Sequence, residues 1–183
     1  THNAMGGIEN WLDKIDAARA KGAVVATETL SYLASGTSIS ADVFRKRDWQ
    51  KIFDITYEDV QWTATGEWLT EETWNYYAEN HPSGAVNHHY VDEAWLRAAL
   101  SWPDTMVSTD AMPAFVPEQL SNPNIAGTFS LLLGEYVREK RYLTLSDALS
   151  RISSKPAQGL EKVAPVFANK GRLQEGKDAD IVI

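Results

Sequence analysis

The chain has 183 residues, 44% of them hydrophobic and 23% charged, a composition that supports a real core and excludes extensive disorder. Acids outnumber bases, 25 against 17, for a formal charge of −8, so no basic stripe is available for phosphates and a nucleic-acid partner is excluded. No apolar run approaches the ~20 residues of a membrane helix, and with no cysteine there can be no disulfide, thiolate ligand or cysteine nucleophile; this composition fits a cytoplasmic protein.

Ile8, Trp11, Leu12, Ile15 and Ala18 recur at helical spacing, and Gly22 supplies a stop. Ala23-Val-Val-Ala-Thr27 then reads as a buried strand, and a helix followed by a strand is the unit of parallel α/β sheets. Ser35–Ser38 reads as a loop. Residues ~41–53 read as helical, and 54–69 as an aromatic-rich irregular stretch. Thr70 is placed to cap a helix whose first turn holds Glu71 and Glu72, favourable against the helix dipole. Ala85–Val91 reads as a strand, Asp92 opens a helix over Glu93–Leu100, and Thr105–Thr109 is a short strand with Asp110 at its end. An amphipathic helix is expected over Phe129–Glu139, and Thr144 with Asp147 resembles a capping box for a further helix. From Lys170 the turn chemistry suits a small β unit, and Asp178-Ala-Asp-Ile-Val-Ile183 reads as the opening of a strand. The abrupt ends, Thr1-His2-Asn3 and Ile181-Val-Ile183, are expected of a chain truncated at both ends. A closed (β/α)8 barrel typically needs ~250 residues, so this alternation supplies only part of one.

Working residues of α/β barrels lie at the C-terminal ends of strands, where Asp110 stands. A carboxylate there can ligate a metal and accept a proton from bound water, or it can simply cap a turn. His2 carries an imidazole suited to Zn²⁺, and is equally readable as an exposed terminal residue. His88 and His89 are adjacent on a strand and must face opposite sides, so at most one can serve a given site and strand packing accounts for both. His81, before Pro82, is a loop residue. Trp11, Trp74 and Trp95 fall on apolar helix faces and read as core, whereas Trp62 and Trp68 read as parts of a mobile cover. No Gly-rich phosphate loop, HExxH or GxSxG occurs.

An ordered set of segments resembles the C-terminal half of the N-acyl-D-amino-acid deacylases, a branch of the amidohydrolases. Val107-Ser-Thr-Asp-Ala-Met-Pro113 is similar to that family's S-D-G-(L/M)-P stretch. Gly127-Thr-Phe129 with Leu133-Gly-Glu-Tyr-Val-Arg-Glu139 is similar to its G-T-F…L-G-x-Y-V-R-E. Leu145–Leu149 and Lys155-Pro-Ala157 resemble its next helix and T-x-x-P-A segment. Lys170–Val182 resembles the G-x-(I/L)-x-x-G-x-x-A-D-(I/L)-V signature of amidohydrolases at large. Thr1-His2-Asn3 resembles the sixth-strand histidine segment, and Glu28–Thr37 the D-x-Y-P-Y-x-A-G-S-T segment. The chain departs from the pattern at Ala4 (Lys in the family), at Leu30 and Ser31 (Tyr and Pro), and at Asn122-Pro123-Asn124 (H-P-R).

The resemblance implies an α/β fold: the last strands and helices of a metal-dependent TIM barrel over residues 1–169, with an insertion or lid at about 38–80, and the start of a β-sandwich return segment over 170–183. It implies one or two divalent ions, zinc by type, held by His2 and Asp110 with the remaining ligands outside this chain. Asp110 would also be the general base, and Tyr32 and Thr37 would contact substrate. The implied activity is hydrolysis of the amide C–N bond of a small N-acyl amino acid. The alternatives are a cyclic-amide hydrolase of the hydantoinase or dihydroorotase kind, and a non-catalytic amidohydrolase-like binding protein. Open strand edges imply homo-oligomerisation or association through those edges.

Overall fold

The computed structural model describes residues 7–111 and 123–182. The chain divides into two compact units: one made of the segments up to Ser31, Ala94–Thr109 and from Thr128 onward, the other of Tyr32–Glu93 and the described part of 110–127. The fold is mixed α/β, as its sequence pattern requires.

In the first unit, helix α1 (Ile8–Ala20) buries Ile8 and Leu12 against Ala99 of α5 (Glu93–Ser101). Gly22, at φ 86°, ends α1, with Gly22 N–H donating to Arg19 O (2.9 Å) and Ala23 N–H to Ala18 O (3.1 Å), a Schellman-type stop. The Arg19 guanidinium then donates to Val25 O at 2.9 Å. This exit leaves Val24 87% exposed, so the strand expected at 23–27 forms later, as β1 (Thr27–Thr29). Strand β1 pairs in parallel with β6 (Thr105–Val107), in the register Thr27↔Thr105 and Thr29↔Val107. All four of these side chains are buried, and the Thr27 and Thr105 hydroxyls lie 3.3 Å apart. The four side chains share one face of the strand pair, the other face carrying exposed Glu28, and β-branched residues fit such a pleated, half-buried surface.

Beyond β6, α6 (Asn124–Leu131) runs directly into a π-helical segment, Leu132–Glu139, where a single amphipathic helix from Phe129 was expected. Thr144 caps α7 (Leu145–Ile152) by accepting from Asp147 N–H at 3.1 Å, as its sequence predicts. Arg151 of α7 is 6% exposed and donates to the carbonyls of Trp102 (2.9 Å) and Thr105 (2.7 Å), which ties the helix to the start of β6. After α8 (Ser154–Leu160) and a 3-10 turn (Pro165–Asn169), the tail is a turn rather than the expected β unit. Gly171 and Gly176 take positive φ, Lys170 pairs with Asp178 (2.9 Å) and Asp180 (2.6 Å), and no strand occurs among the described residues 170–182. Ile181 and Val182 stand exposed. A strand needs a neighbour for its N–H and C=O groups, and Ile181 and Val182 pair with no strand among the described residues.

The second unit is a four-stranded antiparallel sheet in the order β2-β5-β3-β4: β2 (Ser35–Ser38), β5 (Ala85–His88), β3 (Val60–Trp62) and β4 (Glu67–Trp68). Ser35–Ser38, read as a loop, is thus a strand, and the stretch 54–69, read as irregular, is a 3-10 turn followed by a β-hairpin. Helices α2 (Asp42–Lys46), α3 (Trp49–Phe53) and α4 (Glu71–Asn80) complete the unit. Its core gathers Ile39, Phe44, Trp49, Val60, Trp62, Leu69, Trp74 and Val86. Trp49 stacks on Trp74 at 4.9 Å and Phe44 meets Trp74 edge-on at 5.1 Å, geometries that add to plain area burial. Trp62 is therefore core rather than cover, while Trp68 is 51% exposed. Trp74 is buried as expected; Trp11 is not, with 53% of it exposed. Thr70 caps α4 through a reciprocal exchange with Thr73. No described helix is long and apolar enough to cross a membrane.

Candidate functional site

Parallel strands deliver the residues that follow them to one end of their sheet. Ser108 N–H extends the β1–β6 ladder by donating to Thr29 O at 3.0 Å. By this register Tyr32 and Asp110 lie equal steps beyond the last paired residues of the two strands. That is the end at which α/β proteins carry their chemistry.

Asp110 is exposed, and its backbone is left-handed, with φ 47°. A residue with a Cβ is disfavoured there, though Asp and Asn tolerate it better than most. A strained backbone at an exposed acid is the kind of outlier from which a functional hypothesis can start. Chemically, the carboxylate can donate oxygen to a hard or borderline cation and can take up a proton.

The loop after β1 is held by two consecutive hydroxyls. Ser31, which stands where the resembled family has Pro, is wholly buried and donates to Thr128 O at 3.0 Å. The Tyr32 hydroxyl donates to Pro123 O at 3.3 Å. Burial raises the Tyr32 pKa, which keeps the phenol protonated as a donor. Pro123 O also accepts from Ala126 N–H (3.2 Å) and Gly127 N–H (3.0 Å), so it closes the first turn of α6. Asn124, at the position matching the family's Arg, is 2% exposed.

Thr37 lies on β2, half-buried, opposite Val86 in a row that continues to Trp62. Val86 and Trp62 both belong to the aromatic core, so Thr37 shares the core-facing side of that sheet. Thr37 is thus on a different sheet from the parallel strands that Tyr32 and Asp110 follow. His2 lies outside the described residues. Among the described residues no group of three or more His, Asp or Glu is placed to hold a metal.

The histidine pair behaves as strand alternation demands. His88 is buried among Phe44 (5.4 Å between ring centroids), Phe53 (4.9 Å) and Tyr90 (5.1 Å). Burial pushes its pKa down to about 4, and among the described residues no partner reaches its Nδ1. His89 faces the other way, exposed, with Nε2 3.0 Å from Gln61 Oε1 and its ring 4.8 Å from that of Trp68. Packing within the antiparallel sheet accounts for both.

Sequence reading gave Gly127 a place in a motif but no role of its own. A Cβ built on it would clash with the Tyr32 hydroxyl, so any larger residue at this helical position would displace the phenol from its place. The available signal was a glycine inside a helical segment, which usually has a packing reason.

No family model matches the chain. Among curated proteins it is 30% identical over 189 residues to an N-acyl-D-glutamate deacylase of Alcaligenes xylosoxydans xylosoxydans, an alignment covering 95% of this chain and 36% of that protein. It is also 30% identical over 105 residues to a D-aminoacylase of the same organism, covering 57% of this chain and 20% of that one. Among solved structures it is similar to the N-acyl-D-glutamate deacylase of Bordetella bronchiseptica, complexed with zinc and a phosphonate mimic of the tetrahedral intermediate. That match has TM-score 0.73 and 26% identity, over 96% of this chain and 36% of the other. A D-aminoacylase whose binuclear metal centre has been studied shares the fold at TM-score 0.71 and 21% identity. The chain thus spans about a third of the length of the relatives it matches (36%).

Proposed function

The chain belongs to the N-acyl-D-amino-acid deacylase family, and from that premise we propose that it supplies Asp110 to a metal-dependent amidohydrolase that cleaves the amide C–N bond of a small N-acyl-D-amino acid. The observation that carries this is the placement of Asp110: an exposed carboxylate on a left-handed turn, directly after the C-terminal end of a parallel strand. In the finer reading, β1 and β6 are two staves of a TIM barrel whose other strands lie in the two thirds of the relatives' length that this chain does not match. Residues 38–80 belong to an insertion in that barrel, and the segment 170–183, a turn as far as it is described, leads into a β-sandwich return. Association through the open edges of β1 and β6 completes the sheet.

The donor chemistry fits zinc. A carboxylate oxygen and a neutral imidazole are both accepted by that ion, so Asp110 and His2 would hold it, with further ligands outside the matched third. When bound, the ion supplies Lewis acidity toward the carbonyl and lowers the pKa of water. The rest falls to the chain. Asp110 accepts a proton from the attacking water and returns it to the departing nitrogen, which leaves as a neutral amine. Its exposed position lets the carboxylate exchange that proton with substrate. Asn124 puts a neutral amide where the family's Arg stands, so recognition of the substrate carboxylate falls to other residues.

Incubation of the protein, in the longer context of its relatives and loaded with Zn²⁺, with N-acetyl-D-glutamate, its L enantiomer and hydantoin tests this reading. Hydrolysis of the D-acyl compound is expected. Turnover of hydantoin alone would move the assignment to cyclic-amide hydrolases, and turnover of none, with no zinc retained, to a binding protein.

A further inference from the structure

The Tyr32 hydroxyl and the missing side chain of Gly127 occupy one space. We propose that Tyr32 is a positioning residue rather than a substrate contact: it locks the first turn of α6, and Gly127 is the glycine that lets it do so. The inference deepens the proposed function, since α6 begins where the segment that follows Asp110 ends, and it rests on that reading for its catalytic consequence alone.

Three observations converge. The hydroxyl donates to Pro123 O, the same carbonyl that accepts from Ala126 and Gly127 N–H. A Cβ at Gly127 would lie 2.2 Å from the hydroxyl oxygen but 3.6 Å from the ring carbon that bears it, the first a clash and the second an ordinary contact. Burial keeps the phenol protonated, so it acts as a donor. Glycine within a helix is otherwise unfavourable relative to alanine, so the position carries a cost that the close approach explains. A tyrosine reserved for substrate would have no need of this fit to the helix.

The geometry makes the pair reciprocal. Gly127→Ala alone pushes the hydroxyl off Pro123. Tyr32→Phe removes the one atom that clashes and leaves the ring at contact distance, so Gly127→Ala becomes harmless, and even favourable, in that background. The test is a double-mutant cycle on the 183-residue chain, read by thermal melting and by amide exchange at Ala126 and Gly127. Tyr32→Phe should raise exchange at these two amides by roughly fivefold to tenfold, as loss of one hydrogen bond does. Gly127→Ala should lower Tm by several degrees with Tyr32 present, about what overpacking costs a domain of this size, and should leave it unchanged in the Tyr32→Phe background. Equal damage from Gly127→Ala in both backgrounds would overturn the lock.

In the active protein Tyr32→Phe should lower kcat and leave KM for the N-acyl-D-amino acid unchanged. A raised KM with kcat preserved would overturn the positioning role in favour of substrate contact. The cycle does not depend on activity: if Asp110 proved dispensable while the rescue held, the site reading would fail and the lock would stand.

Discussion

Acidification should unfold the second unit through one residue, His88. Its ring is 4% exposed and packed by Phe44, Phe53 and Tyr90, while Tyr90 itself reaches Ser35 Oγ at 3.4 Å. The titratable groups that face or adjoin it are Tyr90, stacked on it, and His89, whose charge disfavours a second one; burial is the larger effect, and a hydrogen bond to the Ser35 backbone opposes it. In the unfolded chain the imidazole titrates near 6.5, and in the folded chain near 4. Between these values the unfolded state binds a proton that the native state refuses, so stability is fully present above pH 6.5 and is lost as pH falls toward 4. At ~1.4 kcal/mol per pKa unit the loss reaches about 3 kcal/mol, a large share of a small domain's stability. Carboxylates titrate in the same range, so a control is needed. His88→Phe keeps an aromatic ring in the cage and removes the titration. Urea unfolding followed by the fluorescence of Trp49 and Trp74, at intervals from about pH 7.5 to 4, should show the wild type losing about 3 kcal/mol more than the variant. A wild-type–variant difference that stays constant across that range would refute the argument, because the imidazole would then find a proton acceptor or solvent on folding.

A Cβ at Gly84 would lie 1.9 Å from the Trp62 ring, so Gly84→Ala should cost roughly 1–3 kcal/mol in chemical denaturation. Arg151→Met should cost about 3 kcal/mol, because it strands the buried carbonyl of Thr105 and the part-buried one of Trp102, whereas an exposed charge such as Lys46 should be removable within roughly 0.5 kcal/mol. Asp110→Gly relieves a left-handed residue and should raise stability by about 1 kcal/mol while abolishing turnover; a drop in stability would show that the carboxylate holds its own turn.

What could be read from the sequence was mostly local. Thr70 and Thr144 announce their helices because a cap needs only its own first turn. The opposite fates of His88 and His89 follow from strand pleating alone. The placement of Asp110 after a strand was legible for the same reason, though its left-handed turn was not. Errors arose where distant partners decide. Ala23–Ala26 is apolar enough for a strand, but Gly22 and the Arg19–Val25 bond commit it to the exit from α1. The stretch 54–69 lacks period because its residues serve a 3-10 turn, a hairpin and an aromatic core in quick succession, and Trp62 finds its place only against Tyr77 at 4.1 Å. Nothing in the sequence around Tyr32 reveals Pro123 and Gly127, which reach its hydroxyl from far along the chain. His2 and the residues between Ala111 and Pro123 lie outside the described residues.

The central claim is that Asp110 performs the proton transfers of a zinc-dependent deacylation, and Asp110→Asn tests it most directly. Asparagine tolerates the left-handed turn, so the fold is preserved while the proton acceptor is removed. Turnover of N-acetyl-D-glutamate by the zinc-loaded protein, in the longer context of its relatives, should fall by a factor on the order of 10² or more, with the melting temperature unchanged. Near-normal turnover in that variant would contradict the account and leave Asp110 as the cap of a turn.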